Sequence, residues 1–172
     1  QLDFWEAMVE ANRLGPQPVT VATIRHLRRN PPPPAQKIAL VHGDYRTGNF
    51  LFGPDGRVHA VLDWEMAHLG DPLEDLAYSL TRQYASANGR LAGNLAPVDQ
   101  AIAWWEAASG LTVDPEALRW WRLFTTVKFQ GLWASGAAGW QSGGNNDLVL
   151  IAASWSCGAT HEREALELMG RA

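Results

Sequence analysis

Two short apolar runs on either side of Gly53-Pro54-Asp55-Gly56 constrain the fold more than any other feature of this chain. Residues 49–52 read Asn-Phe-Leu-Phe and residues 57–64 read Arg-Val-His-Ala-Val-Leu-Asp-Trp, so the turn folds one extended run back on the other. The product is a small hairpin with polar residues at both ends. A buried-strand pattern, Ile38-Ala39-Leu40-Val41, leads into it through the polar loop 42–48. The rest of the chain has helical texture. Two helices, broken at Gly15-Pro16 and Pro18, precede Asn30 and the prolines at 31–34, which act as a stiff spacer. After Gly70 a helix start is specified by Asp71 as N-cap, Pro72 in the first turn and Glu74 completing a capping box. Further helices are expected over 97–108, 115–134 and 146–169, with breaks at Ser109-Gly110 and in the Gly-rich stretch 136–144.

The predicted architecture is therefore α+β, mostly helical, wrapped around one hairpin. A length of 172 residues predicts a single domain, 1–172, with a substantial core. Hydrophobic residues at 47%, nine tryptophans and 19% charged residues indicate a packed globular chain. With a formal charge of -4 and no basic run, the composition argues against nucleic acid or a membrane surface as partner. One cysteine, Cys157, rules out an internal disulfide, reads as core filler, and points to a reducing cytoplasm. The chain opens directly into an amphipathic helix without Met, from which we expect further sequence ahead of it.

The chemistry concentrates on the hairpin. Residues 42–49 read His-Gly-Asp-Tyr-Arg-Thr-Gly-Asn, an H-x-D-x-x-x-x-N spacing, and the returning strand ends in Leu62-Asp63-Trp64. In protein kinases this spacing supplies a catalytic Asp and a metal-binding Asn, and a second Asp after a nearby strand completes the Mg²⁺ site. Asp44, Asn49 and Asp63 occupy those positions. A hard cation needs such oxygen ligands, and an acceptor hydroxyl needs one carboxylate aimed at it. The longer strings Leu-Val-His-Gly-Asp-Tyr-Arg-Thr-Gly-Asn-Phe-Leu-Phe, Val-Leu-Asp-Trp-Glu and Leu-Gly-Asp-Pro-Leu-Glu-Asp-Leu-Ala-Tyr, spanning 40–78, resemble the aminoglycoside phosphotransferase family. They are most similar to its branch associated with acyl-CoA dehydrogenases.

The resemblance implies the helical C-terminal lobe of a protein-kinase-like fold, with ATP as donor, Mg²⁺ as cofactor and a small-molecule hydroxyl as acceptor. It implies Asp44 as the base, Asn49 and Asp63 as metal ligands, and Asp75 as support for the catalytic loop. His42 is read as structural, because no Cys or second His lies at ligand spacing. Arg46 stands where it can neutralise the transferred phosphoryl group. Glu65, Lys128 and Gln130 are read as facing solvent, and Asp71 as a helix cap. Trp104-Trp105 and Trp120-Trp121 cannot both lie equally deep, so one member of each faces a cleft or another surface. Residues 82–99 hold Arg82 and Arg90 with one Asp, which argues against a polycationic acceptor and leaves a hydroxyacyl thioester, a sugar or an amino alcohol. The Gly-rich strands and the Lys that grip a nucleotide are missing before His42. An N-terminal lobe of the same protein is therefore the expected partner, and the fragment alone should be nearly inactive. The rival classes are a metal-dependent hydrolase using His42, Asp44 and Asp63, and a non-catalytic helical module.

Overall fold

The computed structural model describes residues 1–84 and 90–171. Contacts gather into two compact units, Gln1–Pro31 with Leu123–Ala172, and Pro32–Arg122.

The first unit is helical. Helices α1 (Leu2–Asn12) and α2 (Pro18–Arg29) are separated by the predicted Gly-Pro break. They share the unit with most of a long helix running over Pro115–Gln141 and with a last helix over Leu148–Leu168. The long helix passes through the Gly-rich stretch instead of ending near residue 134. Packing explains why. A Cβ at Gly131 would lie 2.8 Å from the Trp5 ring and one at Gly136 3.0 Å from Leu150 Cγ, so these glycines admit close neighbours and are not breakers. Asp147, not Asn146, caps the last helix, accepting the N–H groups of Val149 and Leu150.

Trp5, Val9, Ile24, Leu27, Phe124 and Phe129 form the apolar centre of this unit. Lys128 and Gln130 are buried here, which corrects the solvent-facing reading. The Lys128 ammonium lies 5.5 Å from the Trp5 ring centroid and Gln130 donates to the Gly158 carbonyl at 2.9 Å. Cys157 is only half-buried. No helix among the described residues is long and apolar enough to cross a membrane.

The second unit carries the strands. Strand β1 (Ala39–Val41) pairs antiparallel with β4 (His68–Gly70), and β2 (Phe50–Phe52) with β3 (Val58–Val61). Strand β4 had no local signal, because its three residues become a strand only through pairing with β1. Helix α3 (Leu73–Ser79) starts where expected, with Asp71 Oδ1 accepting the Leu73 N–H at 3.0 Å. Glu74 does not complete a capping box. Its side chain is fully buried and meets His68 Nε2 at 3.0 Å. Asp71 also accepts Trp121 Nε1–H at 3.1 Å, and Trp121 is buried while Trp120 is half-exposed. A short pair, β5 (Leu91–Ala92) with β6 (Ala96–Pro97), precedes α4 (Val98–Ser109); the helices over Pro115–Gln141 and Leu148–Leu168 are α5 and α6.

One buried group makes the first unit sensitive to acid. His161 is fully buried, stacked on Phe129 with ring centroids 4.2 Å apart, and neither ring nitrogen has a hydrogen-bond partner among the described residues. Burial pushes its pKa down to about 4 from 6.5. The unfolded ring takes up its proton first as pH falls. Stability from this group is therefore complete above pH 6.5 and is lost between there and 4, by up to about 3 kcal/mol. His161→Phe, which keeps the stack, should unfold in denaturant with a flatter pH dependence across that window than the wild type; parallel curves would refute the assignment.

Candidate active site

The site is built in the second unit by the loop between β1 and β2, the end of β3 and one face of α3. The loop bends at Gly43, whose φ is +85° and where a Cβ would lie 2.6 Å from the Met66 carbonyl. Only glycine fits between His42 and Asp44, so the loop lies against the segment that follows Asp63.

Asp75, on α3, anchors this loop by its backbone. Its carboxylate accepts the N–H of His42 at 2.7 Å and of Gly43 at 2.9 Å. Burial pushes the Asp75 carboxyl up from its ordinary value, and the two N–H donors pull it back part of the way. His42 ties the loop to the hairpin. Its Nδ1 accepts the Asp44 N–H at 3.1 Å and its Nε2 lies 2.7 Å from the Leu62 carbonyl, so the proton sits on Nε2. Trp64 packs on that imidazole with ring centroids 4.7 Å apart.

Asp44 is held on both carboxylate oxygens. Asn49 Nδ2 donates to Oδ2 at 2.7 Å and to the Asp44 carbonyl at 2.9 Å, and Arg46 Nε donates to Oδ2 at 3.2 Å. Tyr78, one turn beyond Asp75 on α3, donates its phenol to Oδ1 at 2.5 Å. Sequence reasoning passed over Tyr78. Its only signal was the i, i+3 spacing from Asp75, which places both on the same helix face. Burial, with Tyr84 and Asp44 adding to it, pushes the Tyr78 phenol far above its ordinary value, so it is a permanent donor. Arg46 lies 5.7 Å from the Tyr84 ring centroid. Burial works against its charge, but Asp44 and the neighbouring tyrosines outweigh that and hold it above the ordinary value.

The hairpin brings Asn49 opposite the residue before Asp63. Leu62 N–H donates to the Asn49 carbonyl at 2.8 Å, extending the β2–β3 pairing by one residue, and Asp63 is the next residue along. Asn49 is buried, and with both acceptors on its Nδ2 its Oδ1 takes no hydrogen bond among the described residues. Asp63 is exposed at φ 66°, ψ 57°, a left-handed conformation, and its side chain has no partner among the described residues. A left-handed non-glycine residue is uncommon, and such residues cluster at functional sites. These two oxygens suit Mg²⁺, which binds through one or two protein ligands together with substrate phosphates. Among the described residues no cluster of three or more His, Cys, Asp and Glu could hold a metal by itself. Glu65 is exposed, as expected. Part of the predicted substrate side, residues 85–89, lies outside the described residues.

A phosphotransferase enzyme family model matches residues 1–121, and the chain belongs to that family. Among curated relatives, acyl-CoA dehydrogenase family member 11 of Gallus gallus is 40% identical over 80 residues, 46% of this chain and 10% of that protein. Acyl-CoA dehydrogenase family member 10 of Mus musculus is 51% identical over 53 residues, 30% of this chain and 5% of that one. The chain thus spans a tenth or less of the length of these relatives. A Ralstonia eutropha protein assigned as an aminoglycoside phosphotransferase superposes with a TM-score of 0.82 at 20% identity, over 98% of this chain and 54% of that one. The mostly helical, kinase-like fold expected from the motifs is the fold observed.

Removing the Asp75 anchor leaves the His42 and Gly43 N–H groups without an acceptor in a part-buried loop. Asp75→Ala should cost about 2–6 kcal/mol in urea unfolding, at roughly 1–3 kcal/mol per stranded donor. It should also speed hydrogen exchange at those two amides; a loss below about 0.5 kcal/mol would show that the loop is held otherwise.

Proposed function

We propose that this chain is the catalytic, helical part of an ATP-dependent phosphotransferase that phosphorylates a hydroxyl of a small molecule. The observation that carries the reading is the Asp44–Asn49 pair, in which one amide fixes the carboxylate and keeps its own oxygen free, together with the unpartnered Asp63. A carboxylate has about four lone-pair sites. Tyr78, Asn49 and Arg46 fill three of them, and the acceptor hydroxyl is given the one that remains. Asp44 orients that hydroxyl and takes its proton as the oxygen bonds to the γ-phosphorus and ADP leaves. Asn49 and Asp63 hold Mg²⁺, which supplies charge neutralisation on the phosphates when bound. Arg46 adds a fixed positive charge next to the transferred group.

The nucleotide grip comes from a lobe that precedes this chain in the full-length protein. This is supported by the order of elements: the described residues ahead of β1 form the helices α1 and α2, not the Gly-rich strands that a kinase uses to grip its nucleotide. The similarity to acyl-CoA dehydrogenase family members leads us to favour a hydroxylated acyl thioester over a sugar or an amino alcohol as acceptor. A reducing, ATP-rich cytoplasm is the setting that suits this reaction. The hydrolase reading loses its ligand set, because both nitrogens of His42 are already committed within the fold. A helical interaction module has no use for a carboxylate held on both oxygens.

In the full-length protein, Asp44→Asn should abolish Mg²⁺-dependent ATP turnover with hydroxylated acceptors, and Arg46→Ala should lower turnover more than ATP affinity. Tyr78→Phe should lower kcat about tenfold with little change in KM, the loss expected when an orienting hydrogen bond worth roughly 1.4 kcal/mol is removed. Full turnover by Asp44→Asn would sink the reading. Asp63→Gly separates stability from chemistry. It should raise the unfolding free energy by up to about 1 kcal/mol by relieving the left-handed backbone, while turnover is lost; an active Asp63→Gly enzyme would remove Asp63 from the metal site.

A further inference from the structure

Helix α4 is apolar on one face and yet has no buried residue. Ala101, Trp104, Trp105 and Ala108 recur at helical spacing along that face, and together they line a cavity of about 520 Å³. Trp104 remains 59% exposed. An apolar helix face turned to an open cavity, not to protein, loses the burial that normally fixes such a helix. The opposite wall comes from Leu76 on α3 and Leu95 in the β5–β6 turn.

The polar end of this cavity is the catalytic loop. Tyr45, Arg46 and Thr47 line it, Arg46 being the residue that donates to Asp44. Thr47 Oγ1 donates to the Gly93 carbonyl, which ties the loop to the β5–β6 pair and closes the wall. Among the lining residues the charged groups are Arg46 and Asp75, and Asp75 is already engaged by two backbone N–H groups. The cavity therefore offers apolar surface with one polar end, and among its described lining residues the one carboxylate, Asp75, has each oxygen engaged by a backbone N–H. Its volume falls in the range of small-molecule sites.

We infer that this cavity is the subsite for an uncharged aliphatic group of the acceptor, with Trp104 and Trp105 setting how long that group can be. The inference rests on Asp44 receiving the acceptor hydroxyl at the cavity's polar end, and it adds a class of substrate that the site selects. Burying the aliphatic body supplies binding energy remote from the reacting oxygen, and it expels water from the loop next to Asp44.

The test is direct binding of linear primary alcohols to the full-length protein, by calorimetry and tryptophan fluorescence, over a series of about four to ten carbons. Affinity should rise about fourfold per methylene until the cavity is filled. The double variant Trp104→Ala, Trp105→Ala should weaken the longest alcohol about tenfold or more and flatten the series. Ala101→Trp, which fills the cavity from the same helix face, should abolish the length dependence; both variants should keep the wild-type thermal transition, since neither replaces a buried residue. An affinity independent of length in the wild type, or a length dependence that survives both variants, overturns the inference. The two readings fail separately. Length-dependent binding without phosphoryl transfer to any acceptor supports the subsite and refutes the phosphotransferase, whereas transfer without length dependence refutes the subsite alone.

Discussion

The Asp75 carboxylate, accepting consecutive backbone N–H groups from His42 and Gly43, is the interaction on which the site depends. It joins helix α3 to a loop that has no regular structure of its own. Two donors on one part-buried carboxylate fix the peptide plane between them, and Gly43 then has room for one approach, against Met66. From that fixed point the rest of the constellation follows by short range. His42 reaches the Leu62 carbonyl, Asn49 reaches Asp44, and Tyr78 arrives from the same face of α3. Burial of the charge costs free energy, and the shift of Asp75 towards its protonated form reflects that cost. The return is geometric: a carboxylate at position 44 held from both sides.

Much of this was legible in the sequence because the deciding features are local. The hairpin was marked by its Gly-Pro-Asp-Gly turn, the start of α3 by Asp71 and Pro72, and the candidate site residues by the spacing of Asp44 to Asn49 and by Asp63 just past the returning strand. What was not legible is what depends on contacts distant in the chain. Strand β4 exists only because β1 pairs with it. Helix α5 outlasts its glycines because Trp5 and Leu150 come close to them. Lys128 is buried because its long apolar stem and its charge are both accommodated, the charge over Trp5. Tyr78 carried no signal beyond its spacing from Asp75 until α3 was placed against Asp44.

The comparisons and the geometry bear on different levels. The family match and the Ralstonia eutropha structure establish membership and fold, and at 20% identity the latter speaks to fold alone. The aliphatic subsite inferred beside the catalytic loop rests on the chain itself. The apolar face of α4, the committed state of Asp75 and the single unpaired lone-pair site on Asp44 all concern this sequence, and none follows from the fold. One fold hosts many functions, so function has to be argued from the site.

The most direct measurement follows the γ-phosphate. Full-length protein is incubated with γ-labelled ATP, with or without Mg²⁺, and a panel of hydroxylated acyl thioesters, sugars and amino alcohols. The account predicts Mg²⁺-dependent appearance of label on the oxygen of a hydroxylated acceptor, lost in Asp44→Asn. Label that stays on ATP while an acceptor is hydrolysed without it, or label released only as inorganic phosphate, would contradict the account.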